Sequence, residues 1–226
     1  MKAYIFGDSI MRGVMLDEKE NKYCTISENN FNNISDEFSL ELNNKSRFGS
    51  TLPKGVDLID KTLEKGLKCD YALVEFGGND CSYNWNEVSA APDKDHNPLT
   101  PLDTFKNLYI ETIKKLRKYN IIPVLMTLPP INAEAYVDWV SRGGNSRENI
   151  VLWLGDEFMM YRWHELYSNM ISKIAVETKS LCIDVRSNFL ERHDFKSLLC
   201  RDGIHPNEQG HSIIKDAFKG FLKQEL

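Results

Sequence analysis

The sequence predicts an α/β fold, a three-layer α/β/α sandwich around a parallel sheet of about five strands. Short apolar runs alternate with helical patterns along the 226 residues, and a helix that crosses between successive strands makes those strands parallel. Several runs are apolar on consecutive residues, which is typical of strands covered on both faces. Because no repeat, linker or shift of composition divides the chain, we expect a single domain over residues 1–226.

Five segments are predicted as strands, because each is a short apolar or alternating run next to turn-forming residues. The first leads into Ser9, the third leads into Asn79, and Pro129 stops the fourth. In chain order, the predicted strands are 2–6, 39–43, 70–76, 121–127 and 181–185.

Apolar residues three or four positions apart predict the helices between these strands. The clearest stripe is that of Phe105, Leu108, Ile113 and Leu116, within a helix predicted over 101–119. The other helical patterns are a short one with Phe31, Ile34 and Phe38, one after Pro53 with Val56, Ile59 and Leu63, one at 156–179, a helix and loop at 189–201, and a last one at 207–226 with Ile213, Ile214, Phe218 and Phe221.

Three segments between the predicted elements lack a sustained helical or strand-like spacing of apolar residues. Residues 10–14 begin like a helix and give way to a polar stretch, 16–29, while the proline-containing segment 82–100 is predicted to be a long surface loop. Residues 131–154 combine short helical patches with a flexible segment, 142–146. The aromatic residues of the last two connections either form the wall of a substrate pocket or cover the hydrophobic core. They are Tyr83, Trp85, Tyr136, Trp139, Trp153, Tyr161 and Trp163.

Composition and charge exclude several classes of protein. The net charge of −5 and the position of the densest basic stretch, 114–118, on a helix face argue against a nucleic-acid partner. No apolar run approaches the roughly 18 residues of a membrane span, and no signal-like segment precedes the first strand, so we expect a cytoplasmic location. The cysteines are odd in number and scattered, which predicts free thiols at Cys24, Cys69, Cys81, Cys182 and Cys200.

The predicted strands place candidate catalytic residues at one edge of the sheet, where open α/β sheets bind ligands. The first gives Ser9, the second leads to Gly49, the third gives Asn79, and a late loop adds Asp202 and His205. Because a serine hydroxyl needs a base to take its proton, we predict Ser9 as nucleophile, His205 as base and Asp202 as the group that orients His205.

Attack on an ester carbonyl creates an oxyanion, which needs hydrogen-bond donors. We predict that the backbone N–H groups of Ser9 and Gly49 and the side-chain amide of Asn79 supply them. The neighbouring Asp8 and Asp80 are expected to bond local backbone. The remaining histidines have no catalytic or metal-binding residue type at an informative spacing, so they are interpreted as structural. They are His96, His164, His193 and His211.

Four short motifs together resemble the SGNH (GDSL-type) hydrolases. They occur in the family's order and span nearly the whole chain. The motifs are Gly7-Asp8-Ser9, Gly49 within Phe48-Gly-Ser-Thr51, Gly77-Gly78-Asn79-Asp80, and Asp202-Gly-Ile-His205-Pro-Asn207. The resemblance implies a flavodoxin-like α/β/α fold, a metal-independent acyl-enzyme mechanism without a cofactor, and ester or thioester substrates.

We therefore expect a serine esterase that acts on small acyl esters, with acylated carbohydrates as one candidate class. An acyltransferase would use the same triad with a different acceptor, and the sequence does not separate the two. A metal-dependent phosphoesterase is a weaker alternative, because the first strand lacks a D-x-H pair. A non-catalytic binding module is the last alternative, although no phosphate-binding glycine loop is present. The oligomeric state stays open.

Overall fold

The computed structural model describes residues 1–26 and 29–225, apart from the side chains of 29–33. The side chain of Phe31 and residue Leu226, both in segments predicted as helices, therefore lie outside the described residues. The predicted fold class is confirmed, because five parallel strands form one sheet with helices on both faces.

The strands of this sheet follow the order β4-β1-β5-β6-β7, so the chain reverses direction across the sheet at β1, as in flavodoxin-like folds. Ile5 on β1 lies opposite Leu73 on β5, and Leu73 lies opposite Val124 on β6. The bounds are β1 Lys2–Gly7, β4 Glu41–Asn44, β5 Tyr71–Glu75, β6 Ile122–Met126 and β7 Leu181–Ile183.

Consecutive strand residues point to opposite faces of the sheet and so feed two separate apolar layers. Phe6 and Val74 join the layer under α2, α4 and α7, whereas Ile5 and Leu73 join the layer under α1, α8 and α9. The helices of these layers are α1 Asn29–Phe38, α2 Leu52–Glu64, α4 Leu102–Lys118, α7 Phe158–Thr178, α8 Val185–Leu190 and α9 Glu208–Glu225.

A third apolar cluster lies where the chain leaves the carboxyl ends of β5 and β6. It contains three short helices, α3 Trp85–Ala90, α5 Ala133–Val140 and α6 Arg147–Leu154. The prediction of a structureless loop over 82–100 is therefore wrong at α3. Trp85 and Val88 are buried one turn apart in this cluster, but a helix of six residues is too short to show a period in the sequence.

The segment after Ser9 also differs from its prediction. Residues 10–13 form turns instead of a helix, and Gly13 has a φ of 76°. Within the polar stretch, β2 Val14–Asp17 pairs with β3 Lys22–Thr25 as an antiparallel hairpin. All four residues of β3 are exposed, so no apolar alternation marked this strand. We call residues 14–25 the β2–β3 hairpin.

Candidate active site

The turn that follows β1 holds Ser9 at the carboxyl edge of the sheet. The Asp8 carboxylate accepts a hydrogen bond from the Ile10 N–H at 2.8 Å, and the Ser9 carbonyl accepts one from the Val14 N–H at 2.9 Å. These bonds fix the backbone on both sides of Ser9, whose side chain is buried at the floor of a cleft.

Asp202 and His205 lie on one tight loop before α9. Asp202 Oδ1 accepts the backbone N–H groups of Ile204 and His205, both at 3.1 Å. The intervening Gly203 has a φ of 77°, and a Cβ atom there would lie 2.5 Å from the Asn132 carbonyl oxygen. Only glycine fits this position without displacing α5, which explains why the loop has this sequence.

The structure brings Ser9, His205 and Asp202 into one hydrogen-bonded series. Asp202 Oδ2 lies 2.7 Å from His205 Nδ1, and His205 Nε2 lies 3.0 Å from Ser9 Oγ. Burial opposes the charge of Asp202, but the His205 ring and the backbone donors outweigh it and hold the pKa below its usual range. Because an ionised carboxylate only accepts hydrogen bonds, Nδ1 donates to it and Nε2 faces the serine hydroxyl as an acceptor.

Gly49 and Asn79 border the same cleft as Ser9. The Asn79 amide nitrogen donates to Asp8 Oδ2 at 2.9 Å and to the Ser50 carbonyl at 3.2 Å, so both of its hydrogens are engaged. In the described part of the chain, the N–H groups of Ser9 and Gly49 have no hydrogen-bond acceptor. Two backbone N–H groups are thus unpaired at the cleft, whereas the Asn79 amide, predicted as a third donor, already has two acceptors.

Three buried carboxyl groups lie beneath this edge of the sheet. Glu75 Oε2 accepts the Asp8 N–H at 3.2 Å, and Asp80 accepts the Leu52 N–H at 2.9 Å. Burial raises the pKa of Asp8 to about 6, that of Asp80 to about 7 and that of Glu75 well above its ordinary value. Asp8 bonds local backbone at Ile10, as expected, and also holds Asn79. For Asp80 the expectation of a local partner is wrong, because its carboxylate accepts the N–H of Leu52, on a different segment of the chain.

The cleft above Ser9 has a volume of about 150 Å³. At its mouth, the rings of Tyr23 and Phe48 lie 5.0 Å and 5.9 Å from the His205 ring, between centroids. Sequence reasoning missed both, because Tyr23 belongs to the hairpin that was not predicted and Phe48 was quoted only as part of a motif. Of the aromatic residues named in the sequence analysis, Tyr136 lines the cleft. The Trp139 ring packs edge-on against the Tyr23 ring, with 6.1 Å between the ring centroids.

The other five of these aromatic residues belong to the third apolar cluster or pack against it, as one of the two interpretations expected; they are Tyr83, Trp85, Trp153, Tyr161 and Trp163. His211 is buried, with Nε2 3.1 Å from the Val14 carbonyl oxygen, as a structural histidine would be. His164, in contrast, lines the cleft. A lone histidine within a helix gave no signal of this in the sequence.

Over 1–26 and 29–225, no group of three or more histidine, cysteine, aspartate or glutamate side chains could hold a metal ion. No helix in those ranges is both long enough and apolar enough to cross a membrane. All five cysteines are free thiols, which confirms the prediction made from their spacing.

Comparison with known proteins adds to this geometry. The sequence model of the GDSL-like lipase/acylhydrolase family matches residues 5–213. The chain belongs to this family. A GDSL esterase/lipase of Arabidopsis thaliana is 24% identical over an alignment of 184 residues that covers 78% of this chain and 64% of that relative. The chain thus spans less than two thirds of the length of this GDSL-type relative.

Solved structures share the fold of this GDSL-type chain. A lipase/acylhydrolase from Enterococcus faecalis is 17% identical with a TM-score of 0.65, covering 99% of this chain and 96% of that one. A catalytic mutant of an acetylxylan esterase from Geobacillus stearothermophilus is 18% identical with a TM-score of 0.67, covering 98% and 93%. The family is one of lipases and acylhydrolases, and the two solved structures show that this chain shares their fold.

Proposed function

We propose that this GDSL-type protein is a serine esterase that cleaves small acyl esters through an acyl-enzyme intermediate on Ser9. The observation that carries the proposal is the uninterrupted series from Ser9 Oγ to His205 Nε2, at 3.0 Å, and from His205 Nδ1 to Asp202 Oδ2, at 2.7 Å. Distances of this size allow proton transfer from the serine hydroxyl to the imidazole.

In the first half of the proposed reaction, Ser9 Oγ attacks the ester carbonyl carbon while its proton moves to His205 Nε2. Asp202 stabilises the imidazolium that forms. When the tetrahedral intermediate collapses, the bond to the alcohol oxygen breaks and that oxygen takes the proton from His205. Water then repeats the sequence on the acyl-serine and releases the acid, which restores Ser9.

The oxyanion of both intermediates needs donors at the cleft. The free N–H groups of Ser9 and Gly49 support this role, and the Asn79 amide would add a third donor by exchanging the Ser50 carbonyl for the oxyanion. Such an exchange is favourable in the transition state, since an oxyanion is a stronger acceptor than a neutral carbonyl. Each donor of this kind typically contributes ~10²–10³ in rate.

The mouth of the cleft supports an acylated carbohydrate as the substrate class. Tyr23 and Phe48 are 39% and 52% exposed beside His205, and the Arg142 guanidinium lies 4.1 Å from the Trp139 ring centre. Exposed rings offer flat apolar surfaces that pack on the faces of sugar rings, while the arginine offers donors to hydroxyl groups. The fold is also that of the acetylxylan esterase described above.

The test is hydrolysis of 4-nitrophenyl acetate by the wild type and by Ser9→Ala, each with and without EDTA. Ser212→Ala, on the exposed side of α9, is the matched control. We expect activity that resists EDTA, disappears in Ser9→Ala and is unchanged in Ser212→Ala, together with an acetylated Ser9 peptide by mass spectrometry. Activity that survives in Ser9→Ala, or that EDTA removes, would refute the proposal.

A further inference from the structure

The inner part of the cleft contains a histidine that the proposed mechanism does not use. His164 lies on α7, one turn after Met160, and both side chains line the cleft. His164 is only 5% exposed, because α7 packs against the loop after β6, where Ser168 Oγ accepts the Leu128 N–H at 3.1 Å.

The neighbouring Arg186 determines which nitrogen of His164 carries the proton. Arg186 Nη1 lies 3.4 Å from His164 Nδ1 and donates to the Leu128 carbonyl at 3.3 Å. A guanidinium only donates hydrogen bonds, so Nδ1 must accept and the proton of the neutral ring must lie on Nε2. Burial, together with the charge of Arg186, lowers the pKa of His164 to about 3. The ring is therefore neutral at ordinary pH and offers an Nε2–H donor.

This donor is available to a ligand. Among the described residues, His164 Nε2 has no hydrogen-bond partner. Tyr136 Oη and Ser82 Oγ lie 2.8 Å apart, which takes up one of their two hydroxyl protons, and both oxygens accept from the Trp85 indole N–H. The surrounding walls are apolar, with Leu128, Ile131 and Met160 among the lining residues.

The proposed mechanism assigns the inner cleft to the acyl side of a bound ester. His205 must protonate the leaving alcohol, so the alcohol occupies the mouth, where Tyr23 and Phe48 flank the His205 ring. The acyl substituent, on the opposite side of the ester carbonyl, then extends toward Met160 and His164. The whole cleft, mouth included, has a volume of about 150 Å³, which is the size of a cavity that holds benzene, so its inner part has room only for a short acyl chain.

We propose that His164 is a specificity-determining residue whose Nε2–H donates to an oxygen carried by the acyl chain, so that the preferred substrates are esters of short oxo or hydroxy acids. This proposal rests on the esterase function proposed above. It assigns the acyl class, whereas the exposed aromatic residues at the mouth concern only the alcohol.

The test compares two esters of 4-nitrophenol that differ by one group, the 4-oxopentanoate and the 4-methylpentanoate. For the wild type we expect kcat/KM to favour the oxo ester by about tenfold, the effect of one net hydrogen bond. His164→Phe, which keeps a ring and removes the donor, should lower this ratio to near one. His164→Gln, whose amide can donate from a similar position, should restore part of it. His193→Phe, an exposed histidine, is the matched control and should keep the wild-type ratio.

The outcomes separate the two proposals. A wild type that hydrolyses both esters without preferring the oxo ester, or a His164→Phe variant that keeps the full preference, would overturn the role of His164 and leave the esterase proposal standing. A wild type that hydrolyses neither these esters nor 4-nitrophenyl acetate would overturn the esterase function and this inference with it.

Discussion

The Asn79 side-chain amide donates a hydrogen bond to the Asp8 carboxylate, with 2.9 Å between Nδ2 and Oδ2. The residue before the proposed nucleophile thus holds the side chain that we assign to the oxyanion. Asp8 also accepts the Ile10 N–H at 2.8 Å, so one carboxylate orients both the turn that carries Ser9 and a donor from the next strand. Substitutions of Asn79 and of Asp8 separate the contribution of the donor itself from the contribution of its positioning.

Removing the amide tests the proposed donor directly. Asn79→Ala should lower kcat by ~10²–10³ with little change in KM, because the oxyanion exists only near the transition state. Steady-state kinetics on 4-nitrophenyl acetate measures both constants. A rise in KM at constant kcat would show that Asn79 binds the ground state instead.

Replacing Asp8 by asparagine tests its positioning of Asn79. Asp8→Asn keeps an oxygen for the Ile10 N–H but removes the charged acceptor, and we expect kcat to fall about 10- to 100-fold at pH 8. Asp17→Asn is the control, since Asp17 also accepts a backbone N–H two residues on, at 2.9 Å, but on the exposed hairpin turn. Wild-type kcat in Asp8→Asn would contradict the positioning role.

Asp80 makes stability depend on pH. Burial raises its pKa to about 7, against about 4 in an unfolded chain. Between these values the folded protein holds a proton that the unfolded chain has released, so the free energy of unfolding falls as pH rises. Relative to Asp80→Asn, the wild type should lose about 2–3 kcal/mol between pH 5 and pH 8.

Urea denaturation at these two pH values measures this difference. Asp57→Asn, at an exposed position on α2, should follow the wild type at both. A gap between wild type and Asp80→Asn that stays constant with pH would show that Asp80 does not titrate in this range.

The loop of Asp202 and His205 should tolerate no side chain at Gly203. A Cβ atom there meets the Asn132 carbonyl oxygen at 2.5 Å, whereas Gly66, which also has a positive φ, has no atom within 4 Å of such a Cβ. Gly66→Ala should therefore cost only the conformational penalty of about 1–2 kcal/mol. Gly203→Ala should cost about 3 kcal/mol or more by thermal unfolding. Equal losses in the two variants would mean that α5 yields to the extra methyl group.

The sequence was sufficient for the elements that bury a regular stripe. Phe105 and Ile113 on α4 are fully buried, as their spacing predicted, and the parallel sheet follows from the alternation of strands and helices. The sequence was insufficient for elements that bury few side chains or that are only a few residues long. β3 exposes every residue, and α3 has only six, so neither produces a period.

The site shows a similar division. The three-residue spacing of Asp202 and His205 indicated that their side chains could meet, and the structure places them in contact with each other and with Ser9. Their catalytic roles stay predictions. Two other contacts join segments that are far apart in the chain, so no local pattern encodes them. Asn79 donates its second hydrogen bond to the Ser50 carbonyl, and Arg186 approaches His164.

The exposure of β3 has a consequence for how this protein can diversify. Substitutions at exposed positions usually change stability by no more than about 0.5 kcal/mol, yet Tyr23 on this strand contacts the His205 ring. The hairpin can therefore accept many sequences while the sandwich beneath it stays intact. If the chain is the esterase proposed above, mutational libraries confined to 18–25 should yield folded variants that differ in the alcohols they release, which makes this hairpin the natural place to begin engineering new substrate ranges.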